Sequence, residues 1–161
     1  MTAEKRQITG SVAGPYAEHL INTAIRLGVS KACLQAATEL QLSQLPAAIS
    51  ATDYLQLLNA ADSAHPGIGV AVGNAVSPGA YPTLGLTLLS CETLAQTLEQ
   101  VILFESLVHD LGTTRLETEG EQIALIWQPN PAYFPELHRD ACRPVVESVL
   151  AGIKTSWIQS R

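Results

Sequence analysis

The chain has little charge. Only 15% of its 161 residues are Asp, Glu, Lys or Arg, while 47% are hydrophobic; soluble domains ordinarily carry about one-quarter charged residues. This balance excludes disorder driven by charge and low hydropathy. A chain of this length buries roughly two-thirds of its extended surface on folding, and a surface so thinly charged is expected to meet a partner. Positive charge is scarcer still: nine Lys plus Arg stand against fifteen Asp plus Glu, a net charge of -6. That is the wrong sign for releasing counterions from nucleic-acid phosphates. Lys5 and Arg6 are the only adjacent basic pair, so the chain by itself is not expected to grip DNA or, through a polybasic segment, an anionic membrane.

Long apolar runs are missing too. No segment reaches the roughly eighteen residues of a membrane span, and the opening MTAEKRQITG lacks the apolar core of a signal peptide, so the expected location is the cytoplasm. Cysteine is limited to Cys33, Cys91 and Cys142, with no CxxC spacing. This argues against a disulfide framework or a thiolate metal site and makes the three small buried hydrophobes. No Walker loop, HExxH or GxSxG occurs, and Gly67-Ile68-Gly69 has neither the preceding strand nor the third glycine of a dinucleotide site. His19, His65, His109 and His138 share no ligand-like spacing with a carboxylate or thiolate. The expectation is a chain that is not an enzyme and holds no metal or other cofactor.

What is present is helical periodicity. Pro15 to Leu27 places Tyr16, Leu20, Thr23, Ala24 and Leu27 on one face before Gly28 stops the helix. Ser30 caps a second helix through Leu40, and Ser50 opens a third with the capping-box-like SATD. The apolar, glycine-rich GIGVAVGNAV reads as a short packed helix, followed by the loop Ser77 to Pro82 and one or two turns around Leu84, Leu88 and Leu89. A long helix from Glu92 to about His109 carries the stripe Leu94, Leu98, Val101, Ile102 and Val108; Leu103 and Leu107 fall opposite, which predicts cover on both faces. Thr113 to Thr118 and Gln122 to Gln128 read as a hairpin. Pro129, Pro131 and Pro135 mark a stiff loop before a last helix built on Val145, Val146, Val149, Leu150, Ile153 and Trp157, with Pro144 either starting its regular part or kinking it. The expected fold is α+β and predominantly helical: several N-terminal helices, one long central helix, a β-hairpin and a C-terminal helix, with residues 1–161 forming a single domain.

Glu105 is the informative residue of the long helix, because a carboxylate centred on an apolar stripe has to find a partner, stay protonated or meet a polar ligand. The plain reading pairs it with His109 at i, i+4, or with Arg143 of the last helix, although Arg143 with Glu147 is the simpler surface pair. His109 at the helix C-terminus reads most simply as a dipole-stabilising cap. A small, partly apolar ligand is expected between the long helix and the hairpin, touching Phe104, Glu105, Val108 and Trp127 and the loop residues Tyr81 and Tyr133. Exposed Leu103 and Leu107 would favour a homo-oligomer.

From Tyr54 to about Trp157 the sequence resembles the N-terminal effector domain of one branch of the AraC-type bacterial transcription regulators, the arabinose-binding-like domain. The resemblance is carried by YLQLLNAA, by GIGVAVGNAVSPGAYPTLGLTLLSCETLAQTLEQVILFESLVHD and by the hairpin TTRLETEGEQIALIW, then the proline loop and apolar helix. Phe104-Glu105 departs from the pair of aromatics common at that place. The resemblance implies an effector-sensing, dimerising cytoplasmic module whose occupancy biases a separate helix-turn-helix reader. That reader follows this domain in the family and does not occur before Arg161, so DNA would be met only through it. Two other classes remain open from the residues: a stand-alone small-molecule or haem-type sensor with His109 as ligand, and an enzyme using Glu105 as general base.

Overall fold

A computed structural model describes residues 10–134 and 139–159; Lys5, Arg6, Pro135 and His138 of the sequence reading lie outside them. The fold is α+β and predominantly helical. A short strand β1 (Ser11–Ala13) leads into α1 (Gly14–Arg26), where Pro15 occupies the first turn and Tyr16, Leu20 and Ala24 are buried. Gly28, at φ +94, follows its end. Next come α2 (Lys31–Ala36), capped by Ser30, and β2 (Ala48–Ser50), which pairs antiparallel with β1 so that Val12 faces Ile49. These two strands are absent from the sequence reading, since three residues are too few to display an alternation. The helix expected to reach Leu40 stops at Ala36. There the Gln35 amide donates to Leu40 O and the Thr38 hydroxyl oxygen accepts from Leu40 N, so side chains take over backbone groups that a helix would use.

In α3 (Ala51–Ala64) the Ser50 oxygen accepts from Asp53 N while the Ser50 hydroxyl donates to the Asp53 carboxylate. The glycine-rich run forms α4 (Ile68–Asn74), and a 3-10 turn (Pro78–Ala80) precedes α5 (Pro82–Leu88). The long helix α6 (Leu94–Val108) begins two residues later than expected because Thr93 and Gln96 close a capping box. Its buried face is Thr97, Val101, Glu105 and Val108. Leu94 of the expected stripe is 45% exposed, and Leu103 and Leu107, expected to be covered, are 64% and 60% exposed. Cys91 and Cys142 are buried, but Cys33 is exposed.

The hairpin pairs β3 (Gly112–Glu119) with β4 (Gln122–Pro129) around Gly120, whose φ of +61 suits the first position of a two-residue type II′ loop. The last helix, α7 (Arg139–Gln159), runs through Pro144, which therefore lies inside it and leaves the carbonyl one turn earlier without its usual N–H.

Packing of α4 on α7 rests on missing side chains. A Cβ on Gly69 would lie 2.2 Å from Pro144 O, and one on Gly73 would lie 2.5 Å from Ser148 O. The two helices thus touch backbone to backbone. Asp62 of α3 reinforces the joint by accepting from Arg143 at 2.6 Å and from Gly67 N at 3.1 Å; Arg143 also pairs with Glu147, as the sequence suggested. Alanine at Gly69 or Gly73 is expected to destabilise the fold by about 1–3 kcal/mol through overpacking. Alanine at exposed Gly79, where a Cβ meets nothing nearer than 3.9 Å, is expected to be neutral or slightly stabilising. Urea denaturation of the three variants checks the contrast.

Candidate functional site

Thr114 and Trp127 are directly opposite in the hairpin register and share one face. That face lies on α6, and both residues donate to Glu105, which is 6% exposed. The Thr114 N–H reaches Oε2 at 2.7 Å, its hydroxyl reaches Oε1 at 2.9 Å, and the Trp127 indole N–H reaches Oε1 at 3.1 Å. Gly112 makes room for the indole: a Cβ there would lie 2.3 Å from Trp127 Cζ2. Burial raises the Glu105 pKa, and the three donors oppose that shift. The partner of Glu105 is therefore neither His109 nor Arg143. The signal that could have found it is the shared face of Thr114 and Trp127 in a hairpin that follows the helix directly.

His109 lies one turn further on. It is not a charged cap exposed at a helix end; it is 5% exposed, and burial lowers its pKa to about 4. Its Nδ1 has no hydrogen-bond partner, and no hydrogen bond joins its ring to Glu105. The backbone around it bridges to Val12 of β1, and Asp110 N donates to Ser11 O at 3.0 Å. Its ring is tilted against Tyr16, with 5.6 Å between centroids, and Tyr16 stacks on Tyr54 and on Tyr81. Burial holds all three phenols above the ordinary tyrosine range, so they are neutral. The Tyr16 and Tyr54 hydroxyls are close enough to influence each other's ionisation, but no atom meets the Tyr54 hydroxyl in hydrogen-bond geometry.

Two hollows flank Glu105 and His109. The inner one, about 30 Å³, lies among α5, α6 and α7 and is walled by Tyr16, Tyr81, Leu84, Leu88, Val101, Glu105, Val108, His109, Val149, Ile153 and Ser156. The outer one is a groove of about 520 Å³ between α6 and the hairpin, bordered by Ile102, Ser106, Asp110, Thr113, Gln128 and Asn130 besides Glu105, His109 and Thr114. Of the six residues singled out in the sequence, Tyr81, Glu105 and Val108 come together on the inner hollow, and Trp127 reaches the site through its bond to Glu105. Phe104 packs partly buried on the core and lines neither hollow. Tyr133 lies elsewhere, its hydroxyl accepting from Gly10 N. Tyr16, Leu88, Ile153 and Ser156 belong to the wall but carried no local signal beyond helix packing. As it stands, the inner hollow of about 30 Å³ has room for a water, not for a haem.

The family model for the arabinose-binding N-terminal domain of AraC transcription regulators matches residues 28–158. The chain belongs to this family. Comparison with curated proteins and with solved structures returns no match. The family is one of ligand-binding regulatory modules. Among its described residues no group of His, Cys, Asp and Glu is arranged to hold a metal ion, and no helix is long and apolar enough to cross a membrane.

The neutral His109 gives the AraC-type domain a defined acid sensitivity. Well above pH 6.5 both the folded and the unfolded chain leave this residue neutral. As pH falls from 6.5 to about 4, the unfolded chain takes up the proton first and stability drops, by about 3 kcal/mol over the whole window. Glu105, with its raised pKa, works in the opposite sense at the acid end. Denaturation of wild type and His109→Gln across the window is expected to show this loss in the wild type only; equal slopes would assign the titration to another group.

Proposed function

We propose that the chain is one effector-sensing and dimerising unit of an AraC-type transcription regulator, acting in the cytoplasm without catalysis and passing the state of its site to a separate helix-turn-helix domain. Family membership supports the regulatory role. The observation that carries the site is the inner hollow, where Tyr16, Tyr81, Glu105, His109 and Ser156 interrupt an otherwise apolar wall. Ligand pockets are usually apolar with a few such anchors and span about 300–1,000 Å³. At about 30 Å³ the hollow is too small for such a ligand, so an effector binds only as the domain widens. A ligand that prefers the wide state shifts the balance between two states, which is the physical requirement for signalling to another domain. Glu105, already holding three donors, is not arranged as a general base, which supports the non-enzymatic reading.

Thermal-shift screening of amino acids, sugars, fatty acids and amines tests this. A ligand at about 100 times its Kd adds about 2.7 kcal/mol of stability. Ile153→Phe, which fills the inner hollow with an apolar group, is expected to abolish the shift while the variant still melts cooperatively. A shift of equal size in wild type and variant would place the effector elsewhere.

Dimerisation is supported by Leu103 and Leu107, one turn apart on the outward face of α6 and both largely exposed. Sedimentation is expected to show concentration-dependent association of the wild type and a monomer for the double variant Leu103→Glu, Leu107→Glu with unchanged melting temperature. A wild-type monomer at every concentration would refute it.

A further inference from the structure

Tyr81 is the exception in the wall of the inner hollow. Among the described residues of that wall it alone is part-exposed; the others are buried. Tyr81, Leu88 and Ser156 also border a second, smaller cleft of about 10 Å³, whose rim includes Leu89, 50% exposed. These three side chains thus form the partition between the hollow and a cleft that faces solvent. Leu88 and Ser156 are buried residues of α5 and α7. The Tyr81 backbone is clasped on both sides, its N–H donating to Pro78 O at 3.2 Å and its carbonyl accepting from Gly85 N at 2.6 Å. What is left to turn is its side chain, which rotates between staggered positions. The hydroxyl of that side chain is seated over Gly152 of α7, where a Cβ would lie 2.7 Å from the oxygen, and its ring stacks on Tyr16 with 5.6 Å between centroids.

We propose that Tyr81 is the gate of the inner hollow, and that the ligand it admits carries a flat, uncharged aromatic ring that takes the place of the Tyr81 ring beside Tyr16. This rests on the effector-sensing reading and names the entrance and the chemical class of the ligand. When the Tyr81 ring turns away, hollow and cleft become one space, Tyr16 loses a stacking partner and the notch at Gly152 is vacated. The space so freed has the dimensions of an aromatic ring. A guest ring restores the stack on Tyr16, which a saturated ring of the same size does not. Burying a charge there would require a partner, and the one carboxylate of the wall, Glu105, already holds three donors. Gly152 completes the device, because any larger residue would push the Tyr81 hydroxyl off its seat.

The test uses two-dimensional NMR of the whole chain with isotope-labelled tyrosine rings; the four tyrosines give four sets of ring signals, and Tyr81→Phe assigns the one that matters. The probe is p-cresol, with methylcyclohexanol as its saturated counterpart. In the wild type, p-cresol is expected to move the Tyr81 signal saturably towards its position in urea, and methylcyclohexanol to leave it in place. Gly152→Ala is expected to move the same signal without any probe and to tighten p-cresol binding about threefold or more, since affinity rises as the open state becomes more populated. Binding of p-cresol to Tyr81→Ala with no response from the wild type at millimolar probe would make Tyr81 a fixed core residue and overturn the gate. An equal response to methylcyclohexanol would overturn the aromatic class. A compound that stabilises wild type but not Ile153→Phe, and leaves the Tyr81 signal unmoved, would sink the gate and leave the effector reading standing. A Tyr81 signal moved by p-cresol, with no screened compound sensitive to Ile153→Phe, would do the reverse.

Discussion

One buried carboxylate joins the hairpin to the helical part of this domain. A hairpin of two strands is marginal on its own and needs a surface to lie on, and the distal part of this one is exposed from Glu117 to Ala124. Its attachment is concentrated at the base, where Thr114 and Trp127 close on Glu105. Losing one of these donors would leave a buried acceptor short of a partner, a penalty of about 1–3 kcal/mol. Because Glu105 also forms the wall between the two hollows, the same bonds that fix the hairpin set the shape of the candidate site. Fold and site therefore respond together to anything that changes the charge or the partners of this side chain.

The surroundings of His109 extend this coupling to the start of the described chain. Val12 bridges to His109, and Asp110 is bonded twice to Ser11, through its own N–H and through its carboxylate. Strand β1 thus lies between β2 on one side and the turn after α6 on the other. A shift of α6 is felt there directly, with no need for a chain of intermediate side chains. Such contacts tie β1 to the interior of the domain.

Much of the helical architecture is legible because apolar residues recur at the helical period and the caps are conventional: Ser30, Ser50 and Thr93 stand where helices begin. The same arithmetic places Glu105 at the centre of a buried face. It does not by itself reach the partners of Glu105, which follow only when the register set by the turn at Gly120 is combined with how the hairpin docks on the helix. The strands β1 and β2 are too short to show a period. The stripe on α6 comes out a little displaced because Leu94 and Ile102 are more apolar than Thr97, whereas Thr97 turns its hydroxyl to Thr93 O and is fully buried. Polarity alone is a poor guide to burial when a side chain can satisfy itself on its own helix. His109 misleads for a related reason: a position at a helix end suggests solvent, but here Val12 of β1 and the ring of Tyr16 lie against it.

The glycine contact between α4 and α7 has a mechanical consequence. Where backbones touch, no rotamer change can absorb a displacement, so Gly69, Gly73, Pro144 and Ser148 make the two helices one stiff body. The opposite wall of the inner hollow is different: Leu84 and Leu88 of α5 and Val101 and Val108 of α6 meet it through side chains that can repack. Compliance in this domain is therefore one-sided, and a guest that forces the hollow open would lift α5 and α6 away from a fixed floor.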